Sequence, residues 1–418
     1  MKKKIGFIST RFAGTDGVSM EASKWAQVLE QAGHQCFWLA GELDRDPEVS
    51  HIVPEAHFKH ETNQWINTRV LGHKSRKSSV TDTIHAVKTL IKVAIEEFIE
   101  QFSLDMIIVE NALTIPMNIP LGVALTELIA ECQIPTVAHH HDFYWERTRF
   151  AVNAVEDYLR MAFPPKLASM EHVVINSAAQ EELALRTGIS STVIPNVLDF
   201  DNPPEIDPSL SQSFRESLHL AAEDKIILQP TRIVQRKGIE HAIELVKQLK
   251  DPGYKLVISH EAGDEGFEYV AWLKQEARDH GVDLRFAPIP VFDPINGANT
   301  NGKPYSLWHV YPHADFITYP SLYEGFGNAF LEAIYFKKPL LINRYAIFVR
   351  DIEPKNFDLV VMDGFLTEKN VSAVRKILES DERRAQMVQH NYSVARRYYS
   401  YAVLRRRLNT LIANFFGV

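Results

Sequence analysis

Short apolar runs alternate with helix-spaced segments along almost the whole chain, and one proline- and acid-rich stretch interrupts them. That alternation limits the fold more than any other feature. Strand, helix and strand in succession form βαβ units, whose strands run parallel and whose sheet is covered on both faces. In the first half, 5–10 reads as a strand, 11–19 as a glycine-bearing loop and 20–32 as a helix, with Ala22, Trp25, Ala26 and Leu29 on one face and Gly33 closing it. Further strands are expected at 35–40, 106–110, 136–138, 173–176 and 193–195, with helices at 81–102 and 120–132. Residues 54–80 are polar and basic without a clear period and read as a loop. The stretch 199–212 (DFDNPPEIDPSL) reads as a linker. A second series follows, with strands at 226–229, 255–259, 284–287, 316–319 and 339–343, helices at 238–248, 267–280 and 327–336, and a long Asn-, Gly- and Pro-rich loop at 290–304. The stretch 383–415 is helical and rich in Arg and Tyr. The fold class is therefore α/β, with two Rossmann-like doubly wound domains, 1–203 and 204–390, and a terminal segment 391–418. Ligands of such sheets bind beyond the carboxyl ends of the strands, and two facing domains imply a cleft.

Composition removes several classes. The formal net charge is −8, so no nucleic acid is expected as a partner, since that role needs a basic face. Three lysines open the chain, but no long apolar run follows them, and no transmembrane segment is expected. The reading is a cytoplasmic protein, with peripheral contact to a membrane left open. Cys36 and Cys132 lack metal-ligand spacing and read as two buried thiols. Composition says nothing of oligomeric state.

The strongest motif is YPSLYEGFGNAFLEAIYFKKPLLINRY at 319–345. A strand runs into a glycine loop and then a helix, with Glu324 in the loop and Glu332 inside the helix. Gly325 and Gly327 allow a ligand close to the backbone. The amides of Phe326, Gly327, Asn328 and Ala329 would point from the helix N-terminus, which favours an anion. The two carboxylates are suited to hydroxyls of a ribose and a sugar. A second strand–loop–helix, ILQPTRIVQRKGIEHAIELVKQL at 226–248, sets Arg232, Arg236 and Lys237 just before Gly238. Arg232 and Lys237 can neutralise a diphosphate.

Together these motifs resemble the C-terminal half of the retaining glycosyltransferases of the GT-B fold, family 4. The family has an arginine and a Lys-Gly pair followed by Glu-x7-Glu, and here Arg232, Lys237, Glu324 and Glu332 match. The resemblance implies that Arg232 and Lys237 bind the donor diphosphate, Glu324 lies at the donor sugar, and Glu332 holds the ribose. It also implies base recognition by backbone near 287–291. In the N-terminal half, RFAGTDGVSMEASKWAQVLEQAGH resembles the family's first loop and helix, although its usual Gly-Gly is Gly17-Val18 here, and Gly17 is expected to approach the donor phosphate. PTVAHHHDFYWERTRF resembles the strand that ends in His-Asp, which places His141 and Asp142 in the cleft, with His141 at the donor sugar. The last helix resembles the one that crosses back onto the N-terminal domain.

The resemblance implies transfer of a hexosyl unit, mannosyl or glucosyl, from a nucleoside-diphosphate sugar such as GDP-mannose or UDP-glucose to a hydroxyl acceptor, with retention. No separate nucleophile is apparent. The leaving diphosphate can draw the acceptor proton, and catalysis rests on positioning and charge stabilisation. His141, Glu324, Arg232 and Lys237 are the catalytic candidates. No metal is required, and magnesium is expected to stimulate at most. Three consecutive histidines, His139 to His141, cannot all face one ion. The basic segment 54–80 suggests an anionic acceptor, such as a small glycerate-type glycoside, with Lys59, Arg76, Asp142, Trp145 and Arg147 as candidate contacts. A sugar phosphorylase, a nucleotide-sugar epimerase of the same architecture and a non-catalytic nucleotide-sugar binder remain alternatives.

Overall fold

The computed structural model describes residues 2–14, 16–203, 214–259, 267–287 and 307–417. The chain divides into two units, Met1–Pro195 with Ala402–Val418, and Asn196–Tyr401.

In the first unit, strands β1 (Lys4–Ile8), β2 (Gln35–Ala40), β3 (Ser50–Ile52), β4 (Met106–Glu110), β5 (Thr136–His140), β6 (Met170–Val174) and β7 (Ser191–Val193) form one sheet in the order β3-β2-β1-β4-β5-β6-β7. Every neighbouring pair is parallel. The apolar runs that predict β4 and β5 are buried throughout, as expected for central strands covered on both faces. The helices are α1 (Gly17–Gln31), α2 (Glu61–Val70), α3 (Ser78–Phe102), α4 (Ile119–Cys132), α5 (Glu156–Ala162) and α6 (Ser177–Thr187). On α3, Val80, Ile84, Val87, Ile91, Ile95 and Phe98 recur every three or four residues and are buried. A Cβ on Gly6 of β1 would lie 2.5 Å from Leu104 Cδ1, so glycine lets the chain after α3 pack against the strand.

In the second unit, β8 (Lys225–Gln229), β9 (Tyr254–Ile258), β10 (Leu284–Phe286), β11 (Phe316–Tyr319), β12 (Leu340–Asn343) and β13 (Val360–Met362) form a parallel sheet in the order β10-β9-β8-β11-β12-β13. Its helices include α7 (Ile239–Leu249), α8 (Phe267–Asp279), α9 (Asn328–Tyr335), α10 (Glu368–Glu379) and α11 (Asp381–Tyr399). Ile239, Ala242, Ile243, Val246 and Leu249 of α7 pack in one core with Leu256, Phe316, Val374 and Ile377. In both sheets the chain winds outwards and then returns beside its first strand. The direction reverses between β1 and β4 and again between β8 and β11, the points where such sheets bind ligands.

Several expectations change. Residues 54–80 are not a loop: they hold α2 and the start of α3. The stretch 383–415 is two helices, α11 and α12 (Tyr401–Phe416), broken at the extended Ser400. In the first unit α12 is tied by Arg405 to Gln31 at 2.8 Å, and Lys3 Nζ lies 3.6 Å over the Phe416 ring. Cys36 is buried as expected, but Cys132 is exposed because it is the last residue of α4. The 290–304 loop and most of the 199–212 linker lie outside the described residues. Among the described residues, no helix is long and apolar enough to cross a membrane.

Candidate active site

The second unit assembles its cluster at the carboxyl ends of β8 and β11, which are neighbours although their motifs lie far apart in sequence. Beyond β8, buried Gln229 donates to Thr231 Oγ1 at 2.8 Å and accepts from Thr318 Oγ1 at 2.7 Å, which fixes the strand ends without orphaned polar groups. A short turn, Gln235–Lys237, then delivers the basic residues. The Leu322 amide donates to Arg236 O at 2.8 Å, and Arg236 Nη1 donates to Tyr323 O at 2.9 Å and approaches Glu324 Oε2 at 3.3 Å. Lys237 Nζ pairs directly with Glu324 Oε1. Gly238 sits at φ 60°, where a Cβ would stand 2.6 Å from the Pro320 carbonyl oxygen. The basic loop therefore lies hard against the end of β11.

Lys237 and Glu324 are both buried. Burial pushes the Lys237 ammonium below its ordinary value despite the Glu324 charge. Burial also opposes ionisation of Glu324, but Lys237 and Arg236 outweigh it and hold the carboxyl below the usual range. Arg232 is exposed, and no carboxylate pairs with it among the described residues. Its guanidinium is available to an anion beside a lysine already held in place.

The glycine loop follows. Gly327 adopts φ 111°, and a Cβ there would meet Tyr345 Oη at 2.5 Å, while that hydroxyl donates to Phe326 O at 2.8 Å. No side chain caps α9, which begins at Asn328. Its first amides, those of Asn328 and Ala329, therefore keep the anion-attracting character expected of them. Asn196 Nδ2 donates to Asn328 Oδ1 at 2.7 Å. Half-buried Glu332, one turn along, accepts from the fully buried Tyr311 hydroxyl at 2.8 Å. The structure thus brings Lys237, Glu324, Phe326, Gly327, Asn328, Ala329 and Glu332 to one edge of the sheet. Of the 287–291 backbone assigned to the base, only Ala287 lies within the described residues.

The first unit carries a second cluster at the ends of β4 and β5. Side chains alternate along a strand, so His139 and His141 share a side and His140 faces away. His140 Nε2 meets His172 Nδ1 at 2.9 Å in the interior. His139 Nδ1 and His141 Nε2 both approach the fully buried Glu110, at 3.1 Å each. Burial would raise the Glu110 carboxyl, but the two imidazoles pull it down to about 2. Burial lowers His139, whereas His141 is raised because the Glu110 hydrogen bond and charge outweigh its own burial. The buried carboxylate thus favours protonation of His141 over that of His139. The donor atoms of Glu110, His139 and His141 lie within 4.8 Å of one another. Hydrogen bonds already engage them, however, and a cation on His139 Nδ1 would leave Nε2–H as a buried donor, an atom with no partner here.

Glu110 is absent from the sequence-derived candidates. Its signal is an acid closing an otherwise apolar strand, MIIVE. Asn111, at φ 59°, adds to the frame by accepting from the His141 amide at 3.0 Å and donating to Asp142 Oδ1 at 3.0 Å. Gly17 is the first residue of α1, but Asp16 accepts from the Val18 and Ser19 amides, so that helix start presents a carboxylate beside the glycine. Among the acceptor candidates, Asp142 pairs with Arg147, and Arg76 forms a two-pronged pair with Asp157 at 2.6 and 2.7 Å. Trp145 stacks on Phe143 at 4.5 Å. Lys59 remains exposed.

Comparison with known proteins gives a consistent result. The model of the family described as glycosyl transferases group 1 matches residues 300–394, which include Glu324 and Glu332. The chain is similar to the mannosylglucosylglycerate synthase of Petrotoga mobilis, with 36% identity over 85% of this chain and 86% of that one. It is similar to the enzyme of the same name from Thermotoga maritima, with 30% identity over 95% of this chain and 96% of that one. Among solved structures, a glycosyltransferase from Rickettsia africae superposes with a TM-score of 0.71 at 14% identity, covering 99% of each chain. Anabaena HepE, solved with UDP and glucose, superposes with a TM-score of 0.65 at 13% identity over 99% of this chain and 100% of that one. These likenesses bear out the α/β fold with two Rossmann-like units of the GT-B class. With near-full-length relatives at this identity, and a family model that matches the segment holding the glycine loop, the chain belongs to the glycosyl transferases group 1 and is a glycosyltransferase.

Proposed function

We propose that this enzyme moves a mannosyl unit from a nucleoside-diphosphate sugar, GDP-mannose foremost, onto glucosylglycerate, with retention of configuration. The observation that carries the donor half is the buried Lys237–Glu324 pair beside exposed Arg232 and the uncapped start of α9. Arg232, Lys237 and the first α9 amides take the diphosphate and stabilise the charge that grows on it as the glycosidic bond breaks. Glu324 and Glu332 hold sugar and ribose hydroxyls. The departing phosphate oxygen accepts the acceptor proton on the face it leaves, so the chain need supply no separate base. His141, whose protonated form Glu110 favours, serves as a hydrogen-bonding partner of the transferred sugar. The acceptor half follows from the names of the two synthases at 36% and 30% identity and from the expectation of an anionic acceptor. We place the reaction in the cytoplasm, in keeping with two unpaired cysteines.

The test is incubation with GDP-mannose, UDP-glucose or ADP-glucose, and with glucosylglycerate, glycerate or glucose as acceptor, with mass detection of products. The expected result is released GDP and a mannosylated glucosylglycerate. Sugar phosphate formed only with added orthophosphate would instead establish a phosphorylase. Nucleotide binding without turnover on any acceptor would establish a binding protein.

A further inference from the structure

Resting on that reading, we propose that Glu110 is a positioning residue for His141: its carboxylate holds His141 by Nε2, so that Nδ1 is the ring nitrogen presented to the ligand. The geometry is specific. Glu110 is fully buried at the last position of β4, and its oxygens lie 3.1 Å from His139 Nδ1 and 3.1 Å from His141 Nε2. A carboxylate between two imidazoles accepts from both, which fixes the tautomer of each. His139 serves as the back wall. Its ring stacks on Trp25 at 4.1 Å and 21°, and its own Nε2 is buried without a partner, tolerable for a lone pair and costly for an N–H. The His141 ring is thereby gripped at one nitrogen, while its amide is anchored to Asn111 Oδ1 at 3.0 Å. Its side chain keeps 12% exposure. No other side chain bonds Nδ1 among the described residues.

The charged surroundings agree. From α1, buried Glu21 adds negative charge and is paired with Lys24 at 2.8 Å. From the turn beyond β5, Asp142 adds a further negative charge, offset by Arg147. His139 is the neutral member. Glu110 on β4 is thus the main negative charge facing His141, and it outweighs burial to raise the imidazole above its ordinary value. Protonation of the ring turns Nδ1 from an acceptor into a donor, and Glu110 favours that form.

The experiment uses the full chain with 15N-labelled histidine. In the wild type, the His141 signals should show Nε2 carrying the proton in the neutral ring and a titration above the ordinary imidazole value. Glu110→Gln should bring that titration down and move the alkaline limb of kcat/KM to lower pH by the same amount. It should also cut kcat/KM about ten- to a hundredfold, the scale typical when the hydrogen-bond partner behind a functional histidine is removed, with little change in nucleotide affinity. If Glu110→Gln does not fold, the wild-type nitrogen shifts alone decide, and an Nδ1–H neutral tautomer overturns the inference. An unmoved His141 titration in a folded Glu110→Gln protein also overturns it, as does a stoichiometric divalent metal carried by the wild type and absent from the variant. The NMR readout needs no substrate. A wild type inert towards every nucleotide-sugar would therefore count against the transfer reading, whereas the nitrogen shifts judge Glu110.

Discussion

Both units place buried charge at the carboxyl ends of central strands but use different chemistry. In the second, Lys237 and Glu324 compensate each other, and the lysine charge holds the Glu324 carboxyl below the usual range against its burial. In the first, Glu110 is held low by two imidazoles and in return raises one of them, His141, above its ordinary value. The difference teaches where pH enters. A grip on a permanently anionic diphosphate needs charges that do not titrate. A donor to a neutral sugar can be a histidine tuned by its neighbour. The lysine–glutamate pair also differs from a surface ion pair, because removing one partner leaves a buried charge only partly answered by Arg236.

The largest expected effect breaks the second cluster. Lys237→Ala should lower turnover at least 10²–10³-fold, about 3–4 kcal/mol of transition-state stabilisation. Single-turnover kinetics at saturating donor checks this, and wild-type-like turnover would remove the lysine from the mechanism.

The next concerns protons in the first unit. Burial lowers His172 to about 4, so the unfolded chain binds a proton that the folded one refuses. Stability should fall as pH drops from about 6.5 towards 4, by about 3 kcal/mol for this group. His141 has the opposite sign. Its raised value stabilises fully below about 6.5, and that contribution is lost as pH rises through the folded-state value. Urea unfolding across pH 4.5–8.5 should give a maximum between these limbs, and His172→Gln should flatten only the acid limb.

Smaller still is the backbone device. Gly327→Ala places a side chain at φ 111° and against Tyr345 Oη, and it should cost about 1–3 kcal/mol. A thermal midpoint equal to wild type would show that the loop relaxes freely. The smallest structural effect belongs to Arg232→Ala. Stability should stay within about 0.5 kcal/mol because the residue is exposed, while nucleoside-diphosphate affinity should fall about tenfold, the scale of one charge-assisted hydrogen bond. Calorimetric titration with GDP separates the two.

Most strands were legible because central parallel strands are apolar end to end. β2, β4 and β11 lie where their runs QCFWLA, MIIVE and FITY stand. Helix α2 was not. Its inward positions are Asn63, Ile66 and Val70, and Asn63 is buried because its amide donates to the carbonyls of Phe58 and Met117 at 2.8 and 2.7 Å. A polar residue at a core position erases the periodicity that reveals a helix. Helix α10 is likewise absent from the predicted elements, although Val371, Val374, Ile377 and Leu378 behind a Thr367 cap carry the helical signal. The site was legible where motifs are local. Glu324 and Glu332 share one string, and Lys237 precedes its own helix. Glu110 was harder, because its partners are 29 and 31 residues away and meet it only through the β4–β5 pairing.

Gly238 carries a last consequence. Its missing side chain is what lets Lys237 come home to Glu324 across the seam between β8 and β11, strands separated by an entire out-and-back excursion of the chain. Nothing short of that seam closing can build the anion grip. During refolding, nucleotide binding should therefore return with the slowest phase of the second unit and never ahead of it, which makes affinity for a nucleoside diphosphate a stopwatch for the completion of the sheet.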